Sequence, residues 1–342
     1  MAADPAARVM LALCATLALG VTLHLAAAVL APIAFAIFVI ALVWPVQAAV
    51  QQRLGPVAGL LAAMLVSLVV LVALALAIAW AFGGVAQWVA ANAAGLQALY
   101  LQKLDWLAAQ GLGEVAALGR NFDLRWLTGL ARTVTAELQG LLSFTVVTLV
   151  FIILGLLEVE VVGRNLWARG TAGARAVFEG ARASASKLRF YMLVRTAMGL
   201  VTGFLVFAFA HAVGLELAVE WGVIAFVLNY IPFLGSLVAT VFPTAFAALQ
   251  TGDWQFAVVV FVALQAIQFI VGSVVEPRVT GKSLALSPFM TLVAVFLGAL
   301  VWGIAGAFIG VQILIVAVTL ADRFEGGRFA ARLLSGQPPA ER

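Results

Sequence analysis

The run Pro56–Phe82 is dominated by Leu, Val and Ala, with no charge and a lone hydroxyl at Ser67. At ~1.5 Å per residue it is long enough to cross a hydrocarbon core of about 30 Å. Inside lipid a single segment can satisfy its backbone polar groups only as a helix. Comparable apolar runs recur at Met10–Ala28, Leu30–Trp44, Leu141–Leu157, Tyr191–Val213, Ala218–Leu249, Trp254–Gly272 and Pro288–Leu320. The sequence therefore predicts an all-α polytopic membrane protein. Composition agrees, because 342 residues that are 65% hydrophobic and 10% charged cannot provide a water-soluble surface.

The formal charge of +4 does not point to nucleic acid, since the bases fall in short gaps between apolar runs, as the positive-inside rule describes. Cys14 alone excludes an internal disulfide or a CxxC pair, and with His24 and His211 as the only histidines a multi-histidine metal site is not expected. GxSxG, HExxH and a complete phosphate-binding loop are all missing. Gly281-Lys282-Ser283 ends like such a loop, but Glu276 stands where its leading glycine belongs. No catalytic residue, metal or cofactor is expected, and the chain is read as a non-enzyme. The first apolar run continues past Pro32 to Trp44 and is read as retained, forming a tight hairpin with the second.

Charge sets the expected orientation. Arg164, Arg169, Arg175, Arg182, Lys187 and Arg189 outweigh Glu158, Glu160 and Glu179, so this stretch is assigned to the cytoplasm. Both termini then fall inside, and the location is the bacterial cytoplasmic (inner) membrane. The expected organisation has N-terminal transmembrane helices at 1–82 and an extracytoplasmic amphipathic helical region at 83–140. A transmembrane helix plus a basic cytoplasmic helical segment follow at 141–190, then a C-terminal transport unit at 191–322 and a cytoplasmic tail at 323–342.

Two apolar runs are too long for one span. Ala218–Leu249 would make a straight helix of about 48 Å and Pro288–Leu320 one of about 50 Å. Each carries breakers at its middle: Asn229, Pro232 and Gly235 in the first, and Gly298, Gly303, Gly306 and Gly310 in the second. The reading is six full spans plus two re-entrant or broken helical hairpins, or eight spans, with an inverted repeat in the C-terminal half. The re-entrant version places Arg278 and Lys282 inside, and the eight-span version places them outside.

Between the last two apolar runs lies Gly272-Ser-Val-Val-Glu276-Pro277-Arg-Val-Thr-Gly281-Lys-Ser-Leu-Ala-Leu-Ser-Pro288. With Asn229-Tyr-Ile-Pro232-Phe-Leu-Gly235-Ser236 upstream and the glycine-rich Gly298–Gly310 downstream, it resembles the signatures of the autoinducer-2 exporter family of multi-spanning bacterial permease-like proteins. Ser273 stands where many members have Asn, and Phe233 where some have Asn or Tyr. The resemblance covers roughly Tyr191 to Leu320. It implies export of a small polar molecule such as autoinducer-2 or, as in other members, monovalent cation/proton antiport.

Glu276 leads the candidates for binding or exchanging charge, the alternative being a helix-ending acid paired with Lys282 or Arg278. Asn229, Pro232, Gly235 and Ser236 would form a hairpin tip whose freed backbone groups bind ions or polar groups; a kinked span would use the same residues structurally. Ser273, Gln265 and Gln268 complete the binding set, the two glutamines sharing a helical face. Pro277, Gly281, Pro288, Gly303 and Gly306 are read as structural breaks. Arg195 is expected to snorkel to the headgroups. Expected partners are the lipid bilayer and a small polar substrate or a cation and proton, with a homo-oligomer favoured by the Gly/Ala-rich surface. A non-transporting membrane scaffold is the alternative from another functional class.

Overall fold

The computed structural model describes residues 5–335 except 112, 121–124, 169–170 and 281–285. All regular structure among the described residues is helical. In chain order the helices are α1 (Pro5–Leu25), α2 (Ala27–Leu54), α3 (Pro56–Ala109), α4 (Gly113–Arg120), α5 (Arg125–Ala168) and α6 (Ala172–Ala212). They continue with α7 (Ala218–Leu228), α8 (Leu234–Thr251), α9 (Trp254–Phe269), α10 (Glu276–Thr280), α11 (Pro288–Ala321) and α12 (Arg328–Ser335). Seven helices among the described residues are long and apolar enough to cross a membrane. This is a polytopic membrane protein.

α3 runs unbroken through 54 residues, about 81 Å. The change of composition expected at 82/83 is thus a change of side chains along one helix. At the N-terminus the tight hairpin expected from the two short apolar runs is not formed. Ala26 alone separates α1 from α2, its amide still bonds the Thr22 carbonyl at 2.9 Å, and Leu30 bonds back to Ala26 at 2.9 Å. Helical bonding carries on through the junction, giving a bend, and Pro32 is absorbed inside α2. Transmembrane helices tolerate such a proline where neighbouring groups satisfy the freed backbone.

The chain divides into two compact units: Met1–Leu71 with Phe144–Leu193 and Gly281–Arg342, and Val72–Ser143 with Val194–Thr280. In the first unit, Phe35 stacks on Phe308 at 5.2 Å and meets Phe144 edge-on at 5.1 Å, which ties α2, α5 and α11 together. α11 is not one straight helix. Trp302 (φ −129°, ψ 23°) and Gly303 (φ 60°, ψ −140°) leave helical geometry, and the chain turns back on itself there. A methyl group at Gly306 would coincide with the Gly298 carbonyl, and one at Gly310 with the Ala294 carbonyl. Residues 16 apart would be separated by about 24 Å along a straight helix, so residues 288–301 and 304–321 are antiparallel arms. The turn is held by α1, where the Trp302 indole N–H donates to the Leu23 carbonyl at 2.9 Å and His24 Nδ1 lies 2.9 Å from the Val301 carbonyl.

In the second unit the first overlong run breaks between α7 and α8. Trp221 and Phe246 meet at 5.2 Å across that break, and Trp88 packs on Phe246 at 4.4 Å, so α8 folds back along α7. Val206, Ala210, Ile224, Ala225, Ala247, Val260 and Leu264 fill the same core. Trp88 is half-buried against this core, and its indole N–H donates to Glu216 Oε2 at 2.5 Å. Asp253 starts α9 by accepting the Gln255 amide at 2.8 Å.

Candidate functional site

Pro277 determines how Glu276 is presented. A helical proline lacks an N–H, and its ring clashes with the carbonyl four residues back, here Ser273. The chain widens into a π-helix over Ile270–Val275, so that the Glu276 amide donates to Val271, five residues back. The extra residue shifts the register by about 100° without ending the helix.

Glu276 Oε2 then lies 3.1 Å from Arg195 Nη1 of α6, with side chains 20% and 14% exposed. Such a pair is costly to desolvate, and each charge makes the other tolerable there. The Asn229 side-chain amide donates to the Arg195 carbonyl at 3.2 Å. Next along α6, the Thr196 hydroxyl meets the Tyr230 hydroxyl at 2.8 Å. Phe226 braces the Tyr230 ring edge-on at 5.6 Å. These bonds require α6 and α7 to lie close, which Gly203 and Gly222 allow: a methyl at Gly203 would stand 2.7 Å from the Gly222 carbonyl.

The turn after Asn229-Tyr230 is strained. Phe233 adopts φ 63°, ψ −55°, and the Leu234 amide bonds the Pro232 carbonyl at 2.7 Å, which defines a γ-turn of the rare positive-φ form. Phe233 is 52% exposed, whereas Pro232 and Gly235 are buried, and the Ser236 hydroxyl donates to the Phe233 carbonyl at 2.9 Å. A methyl at Gly235 would coincide with the Leu228 carbonyl.

The structure thus gathers Asn229, Pro232, Gly235 and Ser236 on one turn and brings Asn229 to the residue that pairs with Glu276. Ser273 and Gln265 are exposed and Gln268 is half-buried, all outside this network. Pro277 marks a widening of the helix. Pro288 opens α11, and Gly303 is its break; Gly306 lies one turn later, as a close-packing position. Gly281 and Lys282 lie outside the described residues. The sequence reading missed Arg195, Thr196 and Tyr230 as partners: Arg195, expected at the headgroups, turns to Glu276. A base four residues into an apolar run marks Arg195 as unusual but does not say what it meets. Among the described residues no three His, Cys, Asp or Glu side chains are grouped to hold a metal. The arrangement is a half-buried ion pair beside irregular backbone, able to exchange its internal bond for bonds to a ligand or a proton.

The sequence model of the AI-2E family transporters matches residues 10–326. The chain belongs to the AI-2E transporter family. Relatives of this AI-2E family transporter include AI-2 transport protein TqsA of Escherichia coli (strain K12), 27% identical over 224 residues, covering 65% of this chain and 64% of that protein. The sodium-lithium/proton antiporter of Halobacillus andaensis is 30% identical over 110 residues, covering 31% of this chain and 29% of that protein. The matched region spans less than two thirds of the length of either relative. The chain is thus a polytopic membrane protein of that family, and its relatives carry the names of transport proteins.

Proposed function

We propose that this transporter is a secondary exporter of a small polar molecule such as autoinducer-2, working by alternating access in the bacterial cytoplasmic membrane with both termini cytoplasmic. The Arg195–Glu276 pair beside the Asn229–Phe233 turn carries the reading. A neutral, hydroxyl-rich molecule suits such a pair, because its hydroxyls donate to the carboxylate and accept from the guanidinium without adding net charge. The likeness to TqsA supports the substrate class. The two broken elements are proposed as re-entrant hairpins of an inverted repeat, since half-helix ends at mid-membrane are where such transporters bind. Arms 288–301 and 304–321, about 21 and 27 Å long, fall short of a 30 Å core and support this. The protein is further proposed to assemble as a homo-oligomer.

A second reading, monovalent cation/proton antiport, is supported by the likeness to the Halobacillus antiporter. There Glu276 would alternate between Arg195 and the exchanged proton or cation.

Transport in proteoliposomes tests both. Glu276→Gln and Arg195→Gln are each expected to lower the initial rate about tenfold or more, a loss of roughly 1.4 kcal/mol. In thermal unfolding the double variant should be more stable than additivity predicts, by about 0.5–3 kcal/mol, because neither charge is left without the other. If neither autoinducer-2 flux nor sodium-driven proton flux responds to Glu276→Gln, this pair is not the transport site. A chain that moves neither solute would leave the scaffold reading.

A further inference from the structure

Within the first unit, α2, α5, α6 and α11 enclose a cleft of about 1210 Å3, larger than the ~300–1,000 Å3 of most small-molecule sites. Its wall is overwhelmingly apolar, with Ile37, Phe38, Ile309, Ile313 and Val316 along its length. Arg164 of α5 and Arg182 of α6 are exposed residues of the lining and form no ion pair among the described residues. Ser184, one residue pair further along α6, is 3% exposed, and its buried hydroxyl has no hydrogen-bond partner. Arg189, also in the lining, is half-buried and spends one N–H on the Ala41 carbonyl at 2.9 Å. Glu160 in the wall is occupied by the Gln51 side chain at 2.8 Å.

A buried hydroxyl without a partner is uncommon and calls for an acceptor. Two exposed guanidinium groups without an ion-pair partner call for an anion, and an apolar interior of this size calls for hydrocarbon. We infer that this cleft is a binding site for one anionic phospholipid. The phosphate sits on Arg164 and Arg182, the Ser184 hydroxyl donates to an ester carbonyl, and an acyl chain lies along the Ile37–Ile313 wall. Basic pockets between transmembrane helices select acidic lipids by this chemistry. Gln312 of the lining is 2% exposed, its amide nitrogen turned to Met192 Sδ at 3.8 Å and its side-chain oxygen without a partner; an oxygen acceptor cannot bond a phosphate or an ester carbonyl, so it takes no part in holding the lipid.

Native mass spectrometry of the full chain, released from vesicles of equal phosphatidylglycerol and phosphatidylcholine, tests the site. The wild type should retain phosphatidylglycerol preferentially, and Arg164→Gln/Arg182→Gln should reduce that preference about thirty-fold, the effect of two surface cations near a lipid phosphate. Ile313→Trp, which fills the cleft, should reduce retention of both lipids, whereas Gln312→Leu should leave the preference unchanged. Both arginines are exposed, so the double variant should melt with the wild type, which separates loss of binding from loss of fold. Equal retention of the two lipids by the wild type, or a preference that survives the double arginine variant, overturns the proposal. Full retention after Ile313→Trp does so too, by placing the lipid elsewhere, and loss of the preference in Gln312→Leu would make the cleft a polar path.

Discussion

Phe233 keeps its backbone where side chains normally forbid it, at φ 63°, ψ −55°. Such a conformation costs of order 1–3 kcal/mol and persists only when the surroundings impose it. Here buried Pro232 precedes it, and buried Gly235 follows against the Leu228 carbonyl. The phenyl ring, 52% exposed, returns little packing in exchange. Phe233→Gly should therefore leave thermal stability unchanged or raise it by up to about 1 kcal/mol, the relief of strain offsetting glycine's greater chain entropy. Phe233→Val should lower it by about 1 kcal/mol or more, since a β-branched residue is a true outlier at positive φ. Differential scanning fluorimetry of the three proteins in one detergent reads this directly; equal melting of Gly and Val variants would show that the γ-turn is not imposed.

At the scale of elements, the two hairpins depend on backbone-to-backbone approach. Gly306→Leu is expected to destabilise by about 1–3 kcal/mol or more, because the side chain would have to displace the Gly298 carbonyl. Gly20→Leu, at a position with nothing within 4 Å of an added methyl, should melt like the wild type. Thermal melting and monodisperse yield on size exclusion distinguish them. The existence of both breaks was legible, because Asn229-Tyr-Ile-Pro232 and the glycines of Gly298–Gly310 interrupt runs too long for one span. The reversal at Trp302 was less so, since spaced glycines suit a close-packed straight helix equally well. Only in hindsight do 298 with 306, and 294 with 310, fall symmetrically about 302. The π-helix before Glu276 follows from Pro277, yet a proline there is equally compatible with a simple helix end. Arg195 as the partner of Glu276 was not legible at all: the two are 81 residues apart, and one sequence gives no measure of that proximity. The N-terminal hairpin was misjudged because Pro32 was given the weight it carries in water, whereas α2 absorbs it.

For the whole molecule, both overlong runs fold back on themselves, so each is expected to return to the side of the membrane it entered. In a Cys14→Ala background, cysteines replacing Arg278 and Arg164 should react with a membrane-impermeant maleimide from the same side if the hairpins are re-entrant. Opposite-side labelling would mean that the run Ala218–Leu249 crosses the membrane once, against the fold-back of α8 along α7. The reversal at Trp302–Gly303 also bears on how the chain is made. A 14-residue stretch such as 288–301 is too short to span the bilayer by itself. If the hairpin is re-entrant, its arms enter lipid together, after residue 321 has been synthesised. Reporter proteins fused near Gly303 would interrupt that joint entry and record the topology of an unfinished chain, not that of the mature transporter.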